Sequence, residues 1–245
     1  MNGVMYLASG AQPHPTAMIL HGLPGNEQNL DLAQTMRSAG FNVLTFHYRG
    51  SWGSPGTFTL SHGVEDGQAA LEFLRDPENV AKFRIDTKRL LIVGHSYGGF
   101  VAARVAASHP EILGAALIAP WNLGDDITFL KVPESQLPEV AHKMFDDIEG
   151  RLGGTTSLEM AREMLAPGRD WRLETSAPAI RNLPLFVAVA ERDAEDCRAA
   201  SLLAALKRLG APDVKSVTMS TDHSFSDHRA ALQNAILDWL QRSGL

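Results

Sequence analysis

The stretch LLIVGHSYGGFVAARVA, residues 90–106, constrains the fold of this chain more than any other. Apolar, β-prone residues lead directly into an alanine-rich pattern with helical spacing, and Ser96 stands at the centre of the short turn between them. Glycine permits close backbone contacts, so Gly94 and Gly98 predict a strand-to-helix turn tight enough to strain the serine. Such a turn would place the serine hydroxyl beyond a central strand and at a helix N-terminus, which favours developing negative charge.

Short apolar runs and segments with helical spacing alternate along most of the chain. The runs predict strands covered on both faces, at Thr16–His21, Asn42–Phe46, Arg89–Gly94, Gly114–Ala119, Leu185–Ala190 and Asp213–Met219. Helical spacing lies between them, at Asn29–Ala39, Gly63–Arg75, Tyr97–Ser108, Glu195–Leu209 and His228–Gln241. Strands that alternate with helices predict right-handed crossovers and an α/β fold with a mainly parallel sheet flanked by helices.

Residues 121–183 interrupt this alternation. They contain two helix-like stretches, Pro138–Arg151 and Ser157–Leu165, and no clear strand. Long insertions inside compact domains are usually functional lids. We therefore predict a helical cap at 121–183, inserted into a core formed by residues 1–120 and 184–245.

The first nine residues are a separate case. Met1–Ser9 predicts an additional antiparallel strand, which would turn at GAQPHP and run back beside the strand at Thr16. The same segment lacks the charged region and the long apolar region of a signal peptide. We therefore expect it to belong to the fold.

Composition excludes several classes of function. The 22 Lys and Arg residues are scattered among 28 acidic residues, at a net charge of −6, so nucleic acid is not an expected partner. The sequence contains no run of about 18 apolar residues, so no membrane span is expected. The single cysteine, Cys197, cannot form an internal disulfide and is predicted to be an inert thiol, which is compatible with a cytoplasmic location. No metal-ligand spacing and no glycine-rich nucleotide motif is found, so we expect neither a metal nor a cofactor.

The G-x-S-x-G pattern around Ser96, in its strand–turn–helix context, resembles the nucleophile elbow of the α/β-hydrolase superfamily. A serine hydroxyl is a weak nucleophile, so the resemblance implies a histidine base after the elbow and an acid before that histidine. His223 and His228 both follow the last predicted strand. We favour His223, because it lies in a loop, whereas His228 is predicted to begin the final helix.

The resemblance also implies an acid in the turn LFVAVAERDAED, after the strand at Leu185–Ala190. Asp193 is favoured there, because it would lie at the same sheet end as Ser96 and could orient the imidazole of His223. Glu191, Glu195 and Asp196 are the alternatives, of which the last two are predicted to begin the next helix.

The segment His21–Gly25 resembles the family's HG loop, which follows the first core strand. The resemblance implies an oxyanion hole formed by the backbone N–H groups of Leu23 and Tyr97. We expect His21 to support this loop by hydrogen bonds and His95 to pack beneath the elbow.

Candidate substrate contacts lie in two regions. The loop FHYRGSWGSPGTFT, residues 46–59, resembles a loop of several hydrolase and serine-peptidase branches, and Trp52 or Phe58 would either fill space or lie beside the substrate. In the cap, apolar residues at helical spacing would either dock the cap or line an acyl pocket. These are Trp121, Phe129, Met144, Phe145, Met160, Met164 and Leu165.

The function implied is hydrolysis of a small-molecule carboxylic ester through an acyl-enzyme intermediate. The alternative is a small serine peptidase or aminopeptidase, because GHSYGG and YRGS also resemble the prolyl-oligopeptidase branch. Lyase, perhydrolase and pure binding roles on the same fold are further alternatives. The sequence is compatible with a homodimer but does not fix the oligomeric state.

Overall fold

The computed structural model describes residues 1–193 and 199–244. Within them a sheet of seven strands is formed, in the order β1-β3-β2-β4-β5-β6-β7. All neighbouring strands are parallel except β1, which is antiparallel to β3. The strands are β1 (Gly3–Tyr6), β2 (His14–Leu20), β3 (Asn42–Phe46), β4 (Ile85–His95), β5 (Gly114–Ile118), β6 (Leu185–Ala190) and β7 (Val214–Met219). The predicted α/β class with a mainly parallel sheet is confirmed.

The N-terminal strand forms as predicted, but its partner strand was predicted wrongly. β1 pairs with β3, through Gly3 opposite Phe46, rather than with β2. The physical reason is that β2 has no free edge, because β3 and β4 occupy both of its sides. The chain after β1 must therefore pass β3 before it enters β2.

Helices cover both faces of the sheet. The helices of the core are α1 (Leu30–Ser38), α2 (Leu60–Arg75), α3 (Pro77–Phe83), α4 (Tyr97–Ser108), α9 (Ala200–Arg208) and α10 (Arg229–Arg242). On one face α1 and α10 pack their apolar side chains against alternate strand residues such as Ile19. On the other face α2, α4 and α9 pack against residues such as Met18 and Leu20. The period of two along β2 thus divides the core into two layers.

The segment between β5 and β6 is helical. It contains α5 (Leu123–Leu130), α6 (Leu137–Phe145), α7 (Ser157–Leu165), a 3₁₀ turn (Leu173–Ser176) and α8 (Ala177–Ile180). Its apolar residues, including Phe145 and Leu173, belong to the same buried cluster as α4. The cap helices are therefore packed on the core rather than around a centre of their own.

Hydrogen bonds of Glu163 and Gly153 attach this segment to the core. Glu163 on α7 accepts hydrogen bonds from the backbone N–H groups of Leu60 and Ser61, at 2.8 and 2.9 Å, and so satisfies free donors at the N-terminus of α2. Gly153 donates to the carbonyl of Gly50 at 2.6 Å and accepts from the N–H of Phe58 at 3.0 Å. The loop between β3 and α2 is thereby bonded to the cap.

Of the helices in the described part of the chain, none is both long enough and apolar enough to cross a membrane.

Candidate active site

Ser96 is the single residue between β4 and α4, and its backbone is strained. Its φ of 57° and ψ of −122° lie where residues with a side chain are rarely found. A Cβ atom at Gly94 would lie 2.0 Å from the carbonyl oxygen of Gly98, and one at Gly98 would lie 2.1 Å from that of Leu20. The glycines therefore permit the contacts that hold the turn, as the sequence predicted.

The backbone of the elbow is bonded to the end of the neighbouring strand β5. The N–H of Ser96 donates to Ile118 at 2.9 Å, and the carbonyl of Ser96 accepts from the N–H of Trp121 at 2.9 Å. Ser96 remains 8% exposed, at the carboxyl end of β4. Its hydroxyl makes no hydrogen bond to another residue of the described ranges.

Asp193 and His223 lie on the loops that follow β6 and β7, at the same end of the sheet as Ser96. The Nδ1 atom of His223 is 2.5 Å from Oδ2 of Asp193, and the two side chains are 40% and 18% exposed. A carboxylate at Nδ1 holds the proton on that nitrogen and leaves Nε2 free to accept another. The N–H of Arg192 also donates to the carbonyl of Thr221 at 3.0 Å, which joins the two loops directly.

The alternative residues lie elsewhere or outside the described ranges. His228 precedes α10 and its Nδ1 is 3.0 Å from Asp227, so this histidine is paired with a different carboxylate. Glu191 is exposed, and its N–H continues the pairing of β6 with β7. Glu195, Asp196 and Cys197 lie outside the described residues.

His95 contacts the loop that carries His223, a contact that the sequence did not reveal. Its Nε2 lies 2.9 Å from the carbonyl oxygen of His223, and because a carbonyl can only accept, this nitrogen carries the proton. Burial lowers the pKa of His95 to about 3, so its ring remains neutral at ordinary pH. His95 packs beneath the elbow, as predicted, and in addition fixes the main chain of His223.

The segment after β2 passes directly over the elbow. A Cβ atom at Gly22 would lie 2.8 Å from Cβ of Ser96, so the two backbones approach as closely as a glycine allows. Neither the N–H of Leu23 nor that of Tyr97 donates to an acceptor within residues 1–193 and 199–244. The N–H of Tyr97 also belongs to the first residue of α4, where the helix dipole favours negative charge. These two donors are available for an anionic oxygen near Ser96.

Buried groups hold this loop from within. Nδ1 of His21 lies 2.6 Å from the carbonyl oxygen of Gly22, and burial lowers the pKa of His21 to about 4. The hydroxyl of Tyr48 donates to the carbonyl of His21 at 3.2 Å. The hydroxyl of Tyr97 donates to the carbonyl of Leu60 at 2.5 Å and so points into the core, away from Ser96. His21 therefore supports the loop by hydrogen bonds, as expected.

The candidate substrate contacts do not form one surface. Phe58, Met160 and Met164 are buried, and Leu165 is partly buried against the same cluster. Trp52 is 51% exposed and Phe129 is 65% exposed, whereas Phe145 is fully buried. Trp121 is buried, donates its indole N–H to Asp126 at 2.5 Å and lies 6.3 Å from the ring of Phe145. Met144 is half-buried against the main apolar cluster. Trp121 and Phe145 thus dock the cap, which leaves Trp52 and Phe129 as the accessible aromatic residues of this set.

The cavity that borders Asp193 is small, at about 10 Å³. Its walls are short side chains of β5 and β6 and the segments that follow them, including Ala119, Pro120 and Ala190. Such a volume holds about one water molecule. In residues 1–193 and 199–244 no group of three or more His, Cys, Asp or Glu side chains is arranged to hold a metal ion.

Burial of His21 and His95 predicts a loss of stability in mild acid. In the unfolded chain both histidines titrate near 6.5, whereas in the folded chain their pKa values are about 4 and about 3. The unfolded chain therefore binds more protons below pH 6.5, and the free energy of unfolding falls as the pH falls. Between pH 7 and pH 5 we expect His95→Gln to remove about 2 kcal/mol of this fall. Urea unfolding of both proteins at the two pH values measures the difference, and equal falls would contradict the prediction.

Comparison with known proteins places this geometry in a family. A model described as the alpha/beta hydrolase family matches residues 18–235. Cutinase 2 of Thermobifida cellulosilytica is 26% identical over 133 residues, which are 54% of this chain and 49% of that protein. Acylamino-acid-releasing enzyme 1 of Oryza sativa subsp. japonica is 31% identical over 142 residues, 53% of this chain and 18% of that enzyme. This chain thus spans about half of the cutinase and less of the rice enzyme.

The fold itself is shared with solved structures. Est1E from Butyrivibrio proteoclasticus matches with a TM-score of 0.68 and 14% identity, over 98% of this chain and 93% of that one. At this identity the match shows the fold alone. Because the family model spans most of the sequence, the chain belongs to the alpha/beta hydrolase family, and the resemblance drawn from the elbow is confirmed.

Proposed function

We propose that this chain is a serine hydrolase that cleaves carboxylic esters through an acyl-enzyme intermediate. The observation that carries the proposal is the 2.5 Å contact between His223 and Asp193 at the sheet end where Ser96 is held in a strained turn. Acyl transfer requires an oriented histidine and an elevated serine, and here the two lie at the same end of the sheet. The match to Cutinase 2 agrees with an ester substrate.

In the first half of the reaction, Nε2 of His223 takes the hydroxyl proton as Ser96 Oγ attacks the ester carbonyl. The imidazolium that forms is stabilised by the carboxylate of Asp193. The oxygen that becomes negative accepts hydrogen bonds from the N–H groups of Leu23 and Tyr97, which together favour the tetrahedral intermediate. His223 then protonates the leaving alcohol, the bond from carbon to the alcohol oxygen breaks, and an acylated Ser96 remains.

In the second half, His223 removes a proton from water, which attacks the acyl carbon. The same N–H groups bind the second oxyanion. Collapse of this intermediate releases the carboxylic acid and returns the proton from His223 to Ser96 Oγ. Every proton in the cycle passes through His223, so no further ionisable group is required.

The proposed substrate is a small-molecule ester whose acyl group binds outside the small cavity beside Asp193. The cavity beside Asp193 is too small for an acyl chain, so the exposed side chains around the elbow would set the chain-length preference. A cytoplasmic location and a homodimer remain predictions from the sequence.

The proposal is tested by hydrolysis and by covalent labelling. Purified protein is assayed on p-nitrophenyl esters from acetate to palmitate, with aminoacyl p-nitroanilides in parallel. We expect turnover of the esters, and the chain length with the highest kcat/KM measures the size of acyl group that the site accepts. A fluorophosphonate should abolish this activity: Ser96 Oγ attacks the phosphorus, fluoride leaves, and the phosphonyl group that remains adds its mass to the tryptic peptide of residues 90–104, which contains Ser96.

Each other outcome has a defined meaning. Cleavage of the anilides alone would replace the ester proposal with the peptidase alternative. The match to acylamino-acid-releasing enzyme 1 is the observation that favours this alternative. A phosphonate on any peptide other than 90–104 would remove Ser96 from the proposed role. Absence of both hydrolysis and labelling would overturn the proposal altogether.

A further inference from the structure

Trp52 occupies an unusual position for a tryptophan, because half of the residue is exposed and its backbone is strained. Its φ is 46°, and it lies between Gly50 at 75° and Gly53 at 80°. A positive φ at a residue with a large side chain persists only when surrounding contacts compensate for it. Since 51% of the residue is exposed, burial alone does not explain the position.

The indole N–H of Trp52 is directed at the loop that passes over the elbow. Nε1 donates to the carbonyl oxygen of Pro24 at 2.7 Å. A Cβ atom at Gly25 would lie 2.7 Å from the same nitrogen, so the backbone of this loop packs against the indole edge. Pro24 directly follows Leu23, whose N–H is one of the two proposed oxyanion donors.

The turn that carries Trp52 is itself anchored to the core. The N–H and Nε of Arg49 donate to the carboxylate of Asp66 on α2, at 2.8 and 2.7 Å, and that carboxylate is almost completely buried. Ser51 donates to the carbonyl of Tyr48 at 3.0 Å, and Ser54 donates to that of Ser51 at 2.9 Å. Through this hydrogen bond, the indole connects a fixed turn to the loop above Ser96.

We propose that Trp52 is a positioning residue of the oxyanion hole, holding the N–H of Leu23 in place through its hydrogen bond to the Pro24 carbonyl. The inference rests on the proposed ester hydrolysis. A displaced donor weakens binding of the oxyanion, which exists only in the transition state and the tetrahedral intermediate. Loss of the indole N–H therefore lowers kcat and leaves KM nearly unchanged.

Two variants separate the hydrogen bond from the ring. Trp52→Phe keeps an aromatic ring and removes the N–H, whereas Trp52→Leu removes both. Phe73→Leu is the control, because Phe73 is also a partly exposed aromatic residue but lies on α2, outside the proposed site. We expect kcat on p-nitrophenyl acetate to fall about tenfold or more in both Trp52 variants and to be unchanged in the control.

A sulfur-substituted substrate makes the readout specific to the oxyanion hole. Sulfur accepts hydrogen bonds more weakly than oxygen, so the thionoester analogue depends less on the donors. The ratio of oxygen-ester to thionoester rates should therefore fall in Trp52→Phe, an effect that general loss of packing would not produce. Wild-type kcat and an unchanged ratio in Trp52→Phe, with a loss only in Trp52→Leu, would overturn the inference and leave a packing role.

Failure of the proposed function is recognised separately, because the wild-type protein would then cleave no ester. In that case the ¹H–¹⁵N heteronuclear NOE of Leu23 and Gly25 decides the positioning role. A lower NOE in Trp52→Phe but not in Phe73→Leu supports the positioning role of Trp52. Equal NOE values in the wild type and both variants overturn it.

Discussion

Ser96→Ala is expected to lower kcat on p-nitrophenyl butyrate by about 10³-fold or more, while the Tm changes by less than about 3 °C. Activity is lost because alanine has no nucleophilic oxygen, and the remaining rate reflects only substrate binding and the oxyanion donors. Stability is kept because the Ser96 hydroxyl makes no hydrogen bond to the other described residues, so its removal leaves no buried partner unsatisfied. The backbone strain at φ 57° is the same for alanine as for serine.

Ser108→Ala is the matched control for this variant. Ser108 ends the same helix that Ser96 precedes and is exposed, and its hydroxyl donates to the carbonyl of Arg104 at 3.5 Å. We expect it to keep full activity. If Ser96→Ala kept more than a tenth of the wild-type kcat in a preparation free of other esterases, Ser96 would not be the nucleophile. A large fall in Tm would instead show that the hydroxyl has a structural role.

The elbow could be predicted from the sequence because its constraints are local. Gly94, Ser96 and Gly98 specify a strained turn between a strand and a helix, and the structure has that turn. Asp193 and His223 were chosen because the family resemblance implies an acid and then a histidine after the serine, and because the loops after parallel strands meet at one edge of the sheet. Here chain order and strand direction together carried the information.

Contacts that depend on the path of a loop were not predictable in the same way. The bond from Trp52 to Pro24 requires the positions of two loops that are 28 residues apart in the chain. The pairing of β1 with β3 depends on which sheet edge is free, and local turn signals do not report that. His95 reaches the carbonyl of His223 across 128 residues, and nothing in either segment indicates this bond.

Short helices and the cap show a second limit. α3 was missed although Asp76 caps it by accepting from the N–H groups of Glu78 and Asn79. Its seven residues are too few to show helical spacing, and only Val80 and Phe83 pack, partly buried, against the core. In the cap, Phe129 and Phe145 are both phenylalanines in short helices, yet Phe129 is 65% exposed and Phe145 is fully buried. Spacing predicts that a face exists, but not which neighbour covers it.

Gly98→Ala is the second variant for which we expect a large effect, a loss of at least about 3 kcal/mol in the free energy of unfolding. The added Cβ would lie 2.1 Å from the carbonyl oxygen of Leu20 and 2.7 Å from that of His21. Both obstacles are backbone atoms, so no side-chain rotation relieves the clash. β2 and α4 would have to separate, and urea unfolding at pH 7.5 measures the cost.

Gly168→Ala separates this clash from the ordinary cost of replacing a glycine. Gly168 has a φ of 79° and nothing within 4 Å of its would-be Cβ, so the variant should lose only about 1–2 kcal/mol. Equal losses in the two variants would show that the close approach at Gly98 is not what stabilises the elbow. Relief of the clash would also move the loop at Leu20 and His21 away from Ser96, and Leu23 with it. The fraction of Gly98→Ala that remains folded should therefore lose esterase activity as well, and an active folded fraction would mean that the loop and the elbow are independent.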